Sequence, residues 1–347
     1  MSVLVGTIRK LRDAIYLLIG IVAFMISKQT PPFAYQALIR LFCRTGGRTN
    51  DFLSAFISRA SPPLDLGSAT GILGNLGPND IDEIVRVLKA DGYYVLPRKL
   101  PEEARLRLVE YAKSTECLVR PTEDESAHNA PPEHAIYDAS QPRGIRYDFT
   151  QEQVINIPEV QAILADWSIL AVAQTYLGAR PVADVTSMWW HTAYSNQPDA
   201  KAAQFYHFDL DRIRWLKIFI YLTDVGPDNG PHCFVEGSHR TGGIPSALLS
   251  RGYVRLTDED VLRHYPPERL IEFIAPAGTI LLEDTRGLHK GKAVRSGDRL
   301  MLQLQFSNSL FGGSYPPSAF NWMIPKLEKI SEAYPAIYKN YLEDRRV

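Results

Sequence analysis

Cysteine is scarce in this 347-residue chain: Cys43, Cys117 and Cys233 are the only three, and they stand far apart. No CxxC pair occurs, so neither a zinc ribbon nor a disulfide framework is indicated, and a reducing, cytoplasmic compartment fits best. Positive charge is not in excess either. Thirty-eight Lys and Arg against 39 Asp and Glu leave a formal charge of −1, which gives nothing with which to neutralise phosphates and argues against nucleic acid as a partner. The Gly-rich stretch 61–78 lacks a following Gly-Lys-Ser/Thr, so it is read as a linker or loop rather than a phosphate cradle. No HExxH pattern supports a zinc hydrolase, and no internal repeat or low-complexity tract is found.

Long hydrophobic runs are also missing, with two short exceptions near the N-terminus. Residues 14–26 (AIYLLIGIVAFMI) are uncharged and apolar, preceded by Arg9, Lys10 and Arg12 and closed by Lys28. As a helix they cover about 20 Å, short of the roughly 30 Å hydrocarbon core. A helix lying in the membrane interface or docked on the protein is expected, with a true anchor or a signal segment as the alternative. Residues 33–43 (FAYQALIRLFC) repeat the theme. Peripheral membrane contact through residues 14–43 is therefore an expectation, and residues 1–79 are read as an apolar helical segment plus linker.

What is present is ordinary globular composition, 45% hydrophobic and 22% charged. Asn79 is expected to cap a helix through residue 90, followed by a strand over 93–96 and a helix opened by Pro101. Residues 116–143 read as a long surface loop. A single helix is expected over 158–177, closed by Gly178. From Val182 onward short β-like runs alternate with turn signals, without βαβ alternation. That pattern predicts a mainly β domain with flanking helices over residues 80–347, a barrel or a two-sheet jelly roll.

The chemistry starts at Phe205-Tyr206-His207-Phe208-Asp209. In an extended segment residues i and i+2 share a face, so His207 and Asp209 can reach one point. His289 lies 80 residues beyond Asp209, just after the run GTILLED. Two histidines and one carboxylate on one side of a metal suit Fe(II) and leave coordination positions open. A lone H-x-D is common in sequences and carries little weight by itself. Ten residues after His289, Arg299 opens the run RLMLQLQF and can offer a fork to a dicarboxylate. Arg295 competes for that role, but its turn setting (Arg295-Ser296-Gly297-Asp298) favours solvent.

In this order the pieces resemble the phytanoyl-CoA dioxygenase family of Fe(II)/2-oxoglutarate oxygenases. The matching segments are the entry 81–96 with its DGYYVL, Leu177-Gly178, His207 and Asp209, Asp228-Asn229-Gly230-Pro231, Glu236-Gly237-Ser238-His239-Arg240, Ala277-Gly278-Thr279, His289 and Arg299. They span roughly residues 80–312. The resemblance implies a double-stranded β-helix (jelly-roll, cupin-like) core, with iron on His207, Asp209 and His289. It also implies 2-oxoglutarate and O2 as cosubstrates, Arg299 on the distal carboxylate, and substrate hydroxylation with release of succinate and CO2. Two positions depart from the family pattern: Glu236 where proline is usual, and Gly291 where relatives often place a small hydroxyl residue near the cosubstrate.

Other candidates receive plainer readings. Ser238 and His239 are expected in a turn, not as a nucleophilic pair, and His232 in a turn near the mouth of the site. Asp211 is expected as a solvated charge and Lys217 as solvent-facing. Trp190 points away from Trp189 and His191, and which of them lines a pocket is left open. The substrate is expected to be a small molecule, hydrophobic and lipid-like if the N-terminal segment meets a membrane, polar otherwise. The competing class is a non-catalytic metal- or ligand-binding module on the same fold.

Overall fold

A computed structural model describes residues 2–122, 133–195 and 197–342, with side chains from Ile8 onward. Three helices lead the chain: α1 (Ser2–Ser27), α2 (Pro32–Thr45) and α3 (Arg48–Ala60). Pro32 sits in the first turn of α2, where its missing N–H is harmless. Gly46 and Gly47, at φ 60° and 91°, make the reversal into α3 that a Cβ would oppose. A hairpin of β1 (Ala69–Gly71) and β2 (Gly74–Leu76) follows, then α4 (Pro78–Asp91), β3 (Tyr93–Val95) and α5 (Glu102–Ser114). The cap of α4 is Gly77 rather than Asn79. Pro78 occupies the first turn, and the Asp80 carboxylate accepts the Gly77 N–H at 2.8 Å.

Two further expectations are corrected. The stretch expected to be loop holds two strands, β4 (Cys117–Arg120) and β5 (Glu133–Ala135), which with β6 (Arg146–Asp148) extend the main sheet. Residues 123–132 lie outside the described residues. Strands of three or four residues are too short to show periodicity in sequence. The helix expected over 158–177 is two helices, α6 (Pro158–Leu164) and α7 (Trp167–Leu177), meeting at 47°. Asp166 causes the break: its carboxylate caps α7 through the N–H groups of Ser168 and Ile169 and also accepts from Ile72 N–H at 2.7 Å.

The remaining strands are β7 (Val182–Thr192), β8 (Trp215–Tyr221), β9 (His232–Val235), β10 (Leu270–Phe273), β11 (Ile280–Glu283), β12 (His289–Gly291) and β13 (Asp298–Ser307). They form two antiparallel sheets, β3-β11-β8-β13-β7-β6-β4-β5 and β10-β9-β12, facing each other as a double-stranded β-helix. Alternation divides the main sheet cleanly. Trp190, Ile218, Ile220, Leu300, Leu302 and Leu304 pack outward beneath the helices. Trp189, Phe219, Tyr221 and Met301 point inward to Phe234 and Phe273. Burying each such side chain contributes roughly 1.5–3 kcal/mol.

The N-terminal helices dock against the sandwich domain. Leu17 of α1 and Leu38 and Leu41 of α2 pack on Ile213 and Phe311. A Cβ on Gly20 would fall 2.0 Å from the Ala34 Cβ, so glycine is what lets α1 cross α2 this closely. Asp13 of α1 is fully buried and ion-paired with Arg40, at 2.9 Å, and with Arg44. Among the described residues no single helix is long and apolar enough to cross a membrane. The bent pair α6–α7 reaches that length and hydropathy, but its side chains are largely buried in the protein.

Candidate metal centre

A two-residue antiparallel bridge brings the histidines together. His207 N–H donates to His289 O at 3.0 Å and His289 N–H to His207 O at 2.8 Å, which leaves the ring centroids 4.3 Å apart. Asp209 is anchored by its N–H to Thr285 O at 2.7 Å. One ligand atom each from His207, Asp209 and His289 lies within 4.8 Å of the others, and all three residues are buried. His207 Nε2 is 3.8 Å from Asp209 Oδ1, and His289 Nε2 is 3.4 Å from Asp209 Oδ2.

The tautomers are set by the backbone. His207 Nδ1 lies 2.9 Å from Phe205 O and His289 Nδ1 lies 3.0 Å from Gly287 O. Each Nδ1–H donates to a carbonyl two residues upstream, which frees both Nε2 lone pairs for a common centre. Burial, with the nearby His289 charge, holds the His207 pKa well below the usual imidazole value. Burial acts the same way on His289, but the Asp209 carboxylate outweighs it and raises that pKa. A metal and a proton compete for the same His289 Nε2 lone pair.

Asp209 is also held by a residue expected in solvent. Lys217 is on the inward face of β8 with Phe219 and Tyr221, and its Nζ donates to Asp209 Oδ2 at 2.6 Å and lies 3.2 Å from Asp211 Oδ2. The expectation placed Lys217 on the face opposite the apolar core residues of its strand. That face is the sandwich interior and not the surface. Asp211, expected to be solvated, has only 17% of its side chain exposed, and burial raises its pKa. Burial would raise the Asp209 pKa too, but Lys217 and His289 overcome it and keep that carboxylate ionised.

Arg299, on β13, is 1% exposed and has no carboxylate partner among the described residues. It donates to Gly230 O, within the Asp228–Pro231 turn, and its Nη2 lies 2.6 Å from His191 Nδ1. Its Nε and the His191 Nε2 have no partner in the buried interior. A buried guanidinium without an anion is expensive, so the pocket is suited to one. Gly291 contributes to the space: a Cβ there would stand 3.3 Å from Arg299 Nη2. Arg295 is exposed, as its turn setting suggested.

His232 is corrected as well. It opens β9, is buried, and its Nε2 lies 3.0 and 2.9 Å from the two carboxyl oxygens of Glu283, which sequence reasoning did not single out. Burial pushes Glu283 up to about 8 and His232 well down, so the two form a neutral pair sharing one proton below that pH. The ring of His232 is 5.7 Å from that of His289. Trp189 and His191 line the interior, and Trp190 packs in the outer core against Tyr137 at 4.7 Å. Ser238 Oγ is committed to Val235 O and to Leu288 N–H, bracing the strand that carries His289, and His239 Nε2 is 3.3 Å from Lys89 O.

Fold and site together define a jelly-roll protein with a two-histidine, one-carboxylate facial triad beside a buried arginine. The sequence matches the phytanoyl-CoA dioxygenase (PhyH) family over residues 89–301, and the chain belongs to that family of iron- and 2-oxoglutarate-dependent enzymes. No curated protein matches the chain. Among solved structures it is similar to the epimerase SnoN from nogalamycin biosynthesis in complex with Fe3+, alpha ketoglutarate and nogalamycin RO. That pair is 16% identical, covering 67% of this chain and 84% of that one, with a TM-score of 0.46. HygX from Streptomyces hygroscopicus, with nickel and 2-oxoglutarate bound, is 17% identical, covering 69% and 89%, at 0.44. Iron-bound EctD from S. alaskensis is 18% identical, covering 74% and 88%, also at 0.44.

Proposed function

We propose that this protein is an Fe(II)/2-oxoglutarate-dependent dioxygenase that hydroxylates a small organic substrate. The observation that carries the reading is the pairing of two features in one buried interior. The Nε2 atoms of His207 and His289 converge with Asp209, and Arg299 waits beside them without an anion. His207, Asp209 and His289 would hold the iron, and Arg299 would hold the distal carboxylate of 2-oxoglutarate through its fork. With O2, these groups supply an oxidation in which 2-oxoglutarate leaves as succinate and CO2 and the substrate gains a hydroxyl. Asp209 fills the third protein position on the metal, which favours hydroxylation over halide transfer.

The protein's own part is placement and charge. Backbone carbonyls fix the two imidazole tautomers, Lys217 holds the Asp209 carboxylate in place through Oδ2 and keeps it ionised, and the rings of Trp189, Phe219 and Phe273 line the interior with apolar surface. Tyr35 of α2 lies within electrostatic reach of Asp211 and Asp209, its phenol raised to about 12 mainly by burial, and we place substrate entry beside α2. Because α2 also carries α1, we favour a hydrophobic, lipid-like substrate over a polar one.

The test is O2-dependent succinate formation after anaerobic loading with Fe(II), using wild type and the His207→Ala, Asp209→Ala and His289→Ala variants. Each variant is expected to lose metal binding and turnover while still folding. Near wild-type activity in any of them removes that residue from the ligand set. Metal binding without any 2-oxoglutarate consumption, across hydrophobic and polar candidates, would leave a non-catalytic binding module.

A further inference from the structure

Outside the metal centre, the outward face of α1 is the least explained feature of the molecule. Of the 22 large apolar side chains exposed among the described residues, 12 lie between Ile8 and Phe56, so the exposure is concentrated in the N-terminal helices. Along α1, Leu11, Ile15, Leu18, Val22 and Ile26 recur at i, i+4, i+7, i+11 and i+15 and make one continuous stripe. Leu18 is 62% exposed, Val22 58% and Ile26 80%. Phe33 extends the apolar surface sideways, packed edge-on against Tyr16 at 5.7 Å. The opposite side of the helix is already satisfied by Leu17, Gly20 and the Asp13 ion pairs, so the outer stripe has no partner within the described chain.

Charge narrows what covers it. Residues 1–60 contain eight Lys and Arg and two Asp, a net of +6, whereas the whole chain is −1, so the remainder carries −7. Both acids are engaged: Asp13 lies beneath Arg40 and Arg44, and Asp51 pairs with Arg286 at 2.8 Å. Arg9 and Lys10 at one end of the stripe and Lys28 at the other are exposed, with no acidic partner among the described residues. A second copy would set the exposed Arg9, Lys10 and Lys28 of one face against those of another, which like-charge repulsion opposes. An anionic surface with an apolar interior meets both demands at once.

We propose that the outer face of α1 is a docking surface for anionic phospholipid bilayers, with the helix lying at the headgroup–acyl boundary and not crossing it. The inner face stays fixed to the protein by Asp13 and by the Gly20–Ala34 contact, so docking requires no unfolding of the core. The geometry also brings the bilayer near the chemistry. α2 lies between α1 and the site-bearing segment, where Phe42 stacks on Phe208 at 5.4 Å, and Phe208 is flanked by His207 and Asp209. Vesicle binding is read without turnover, so this surface stands or falls separately from the oxygenase chemistry.

The experiment is flotation of the full chain with phosphatidylcholine vesicles and with vesicles that also contain phosphatidylglycerol. Wild type is expected to float with the mixed vesicles, more weakly with phosphatidylcholine alone, and progressively less as salt is raised. Combining Leu18→Glu, Val22→Glu and Ile26→Glu is expected to lower partition into mixed vesicles by more than about tenfold. Because these side chains are exposed, the melting transition and metal binding of that variant are expected to match wild type. A second variant, Arg9→Gln with Lys10→Gln, is expected to lose most of the preference for phosphatidylglycerol. Wild type that stays unbound with both vesicle types overturns the docking surface, as does a triple variant that floats like wild type. A concentration-dependent dimer abolished by the three substitutions, with no flotation, would instead make a second copy the occupant.

Discussion

Arg299→Met separates ligand affinity from stability and should move them in different directions. The guanidinium is 1% exposed, with one hydrogen bond to Gly230 O, a 2.6 Å contact to His191 Nδ1 and an unpartnered Nε. No carboxylate among the described residues neutralises it. If the missing anion is the distal carboxylate of 2-oxoglutarate, truncation leaves that carboxylate buried and unpaired, at a cost of about 3 kcal/mol, or about a hundredfold in Kd. Arg299→Lys keeps the charge but loses the fork, so an intermediate loss is expected. In the ligand-free protein the sign differs. Replacing an uncompensated buried cation by an apolar chain of similar length is expected to leave the melting temperature unchanged or raise it. Calorimetry with 2-oxoglutarate and a redox-inert divalent ion in the metal site gives the first quantity, and a thermal melt without ligand gives the second. Unchanged 2-oxoglutarate affinity in Arg299→Met would refute the assignment. A large loss in Arg295→Ala would move the role to that exposed residue.

The other buried charges give predictions of their own. Lys217→Met leaves Asp209 and Asp211 facing each other without their shared cation, so the metal-free protein is expected to lose on the order of 3 kcal/mol, and a divalent ion should restore more stability than it adds to wild type. Equal metal-induced melting shifts in the two proteins would contradict this. Glu283, pushed up to about 8 by burial, folds preferentially in its protonated form; that stability is fully present below the ordinary carboxylate pKa and is lost as pH rises toward 8. Glu283→Gln should therefore gain on wild type by up to several kcal/mol between about pH 5 and pH 8 in metal-free melts. Parallel curves would mean the carboxyl is ionised throughout.

Part of the candidate site was legible because it is a local pattern. His207 and Asp209 are two residues apart, and the apolar runs that became β7, β8 and β13 are long enough to display alternation. What stayed hidden depends on contacts far away in the chain. Lys217 reads as a surface residue until β8 is known to be covered on both faces, although a lone lysine at the same parity as Phe219 and Tyr221 was a usable signal. The His232–Glu283 pair joins residues 51 apart. Asp166 interrupts an otherwise apolar helical stretch, and its role depends partly on an N–H from Ile72, 94 residues away. For α1 the composition told that the helix must be covered, but not by what. The side facing α2 was set by Gly20 meeting Ala34 and by Asp13 meeting Arg40.

Charge balance in the sandwich interior implies that metal and cosubstrate bind cooperatively. With the histidines neutral, the formal charges of Asp209, Asp211, Lys217 and Arg299 sum to zero over the interior, although both carboxylates contact Lys217 and none contacts Arg299, while His232 and Glu283 form a neutral pair. The empty interior is thus close to neutral. A divalent ion alone raises it to +2, and a dicarboxylate alone lowers it to −2. Both together restore neutrality in a buried space where uncompensated charge is poorly tolerated. Each ligand should therefore tighten the other, by a coupling of about 1–3 kcal/mol, or roughly 5- to 150-fold, and linkage requires the same factor in both directions. Titrating a redox-inert divalent ion with and without 2-oxoglutarate measures it. Arg299→Met supplies the internal control: with one cation fewer, the metal alone should bind somewhat more tightly than in wild type, while the coupling to 2-oxoglutarate shrinks. Metal affinity indifferent to 2-oxoglutarate in the wild-type protein would show that the dicarboxylate does not share this interior with the ion, and the pairing of Arg299 with the triad would lose its physical basis.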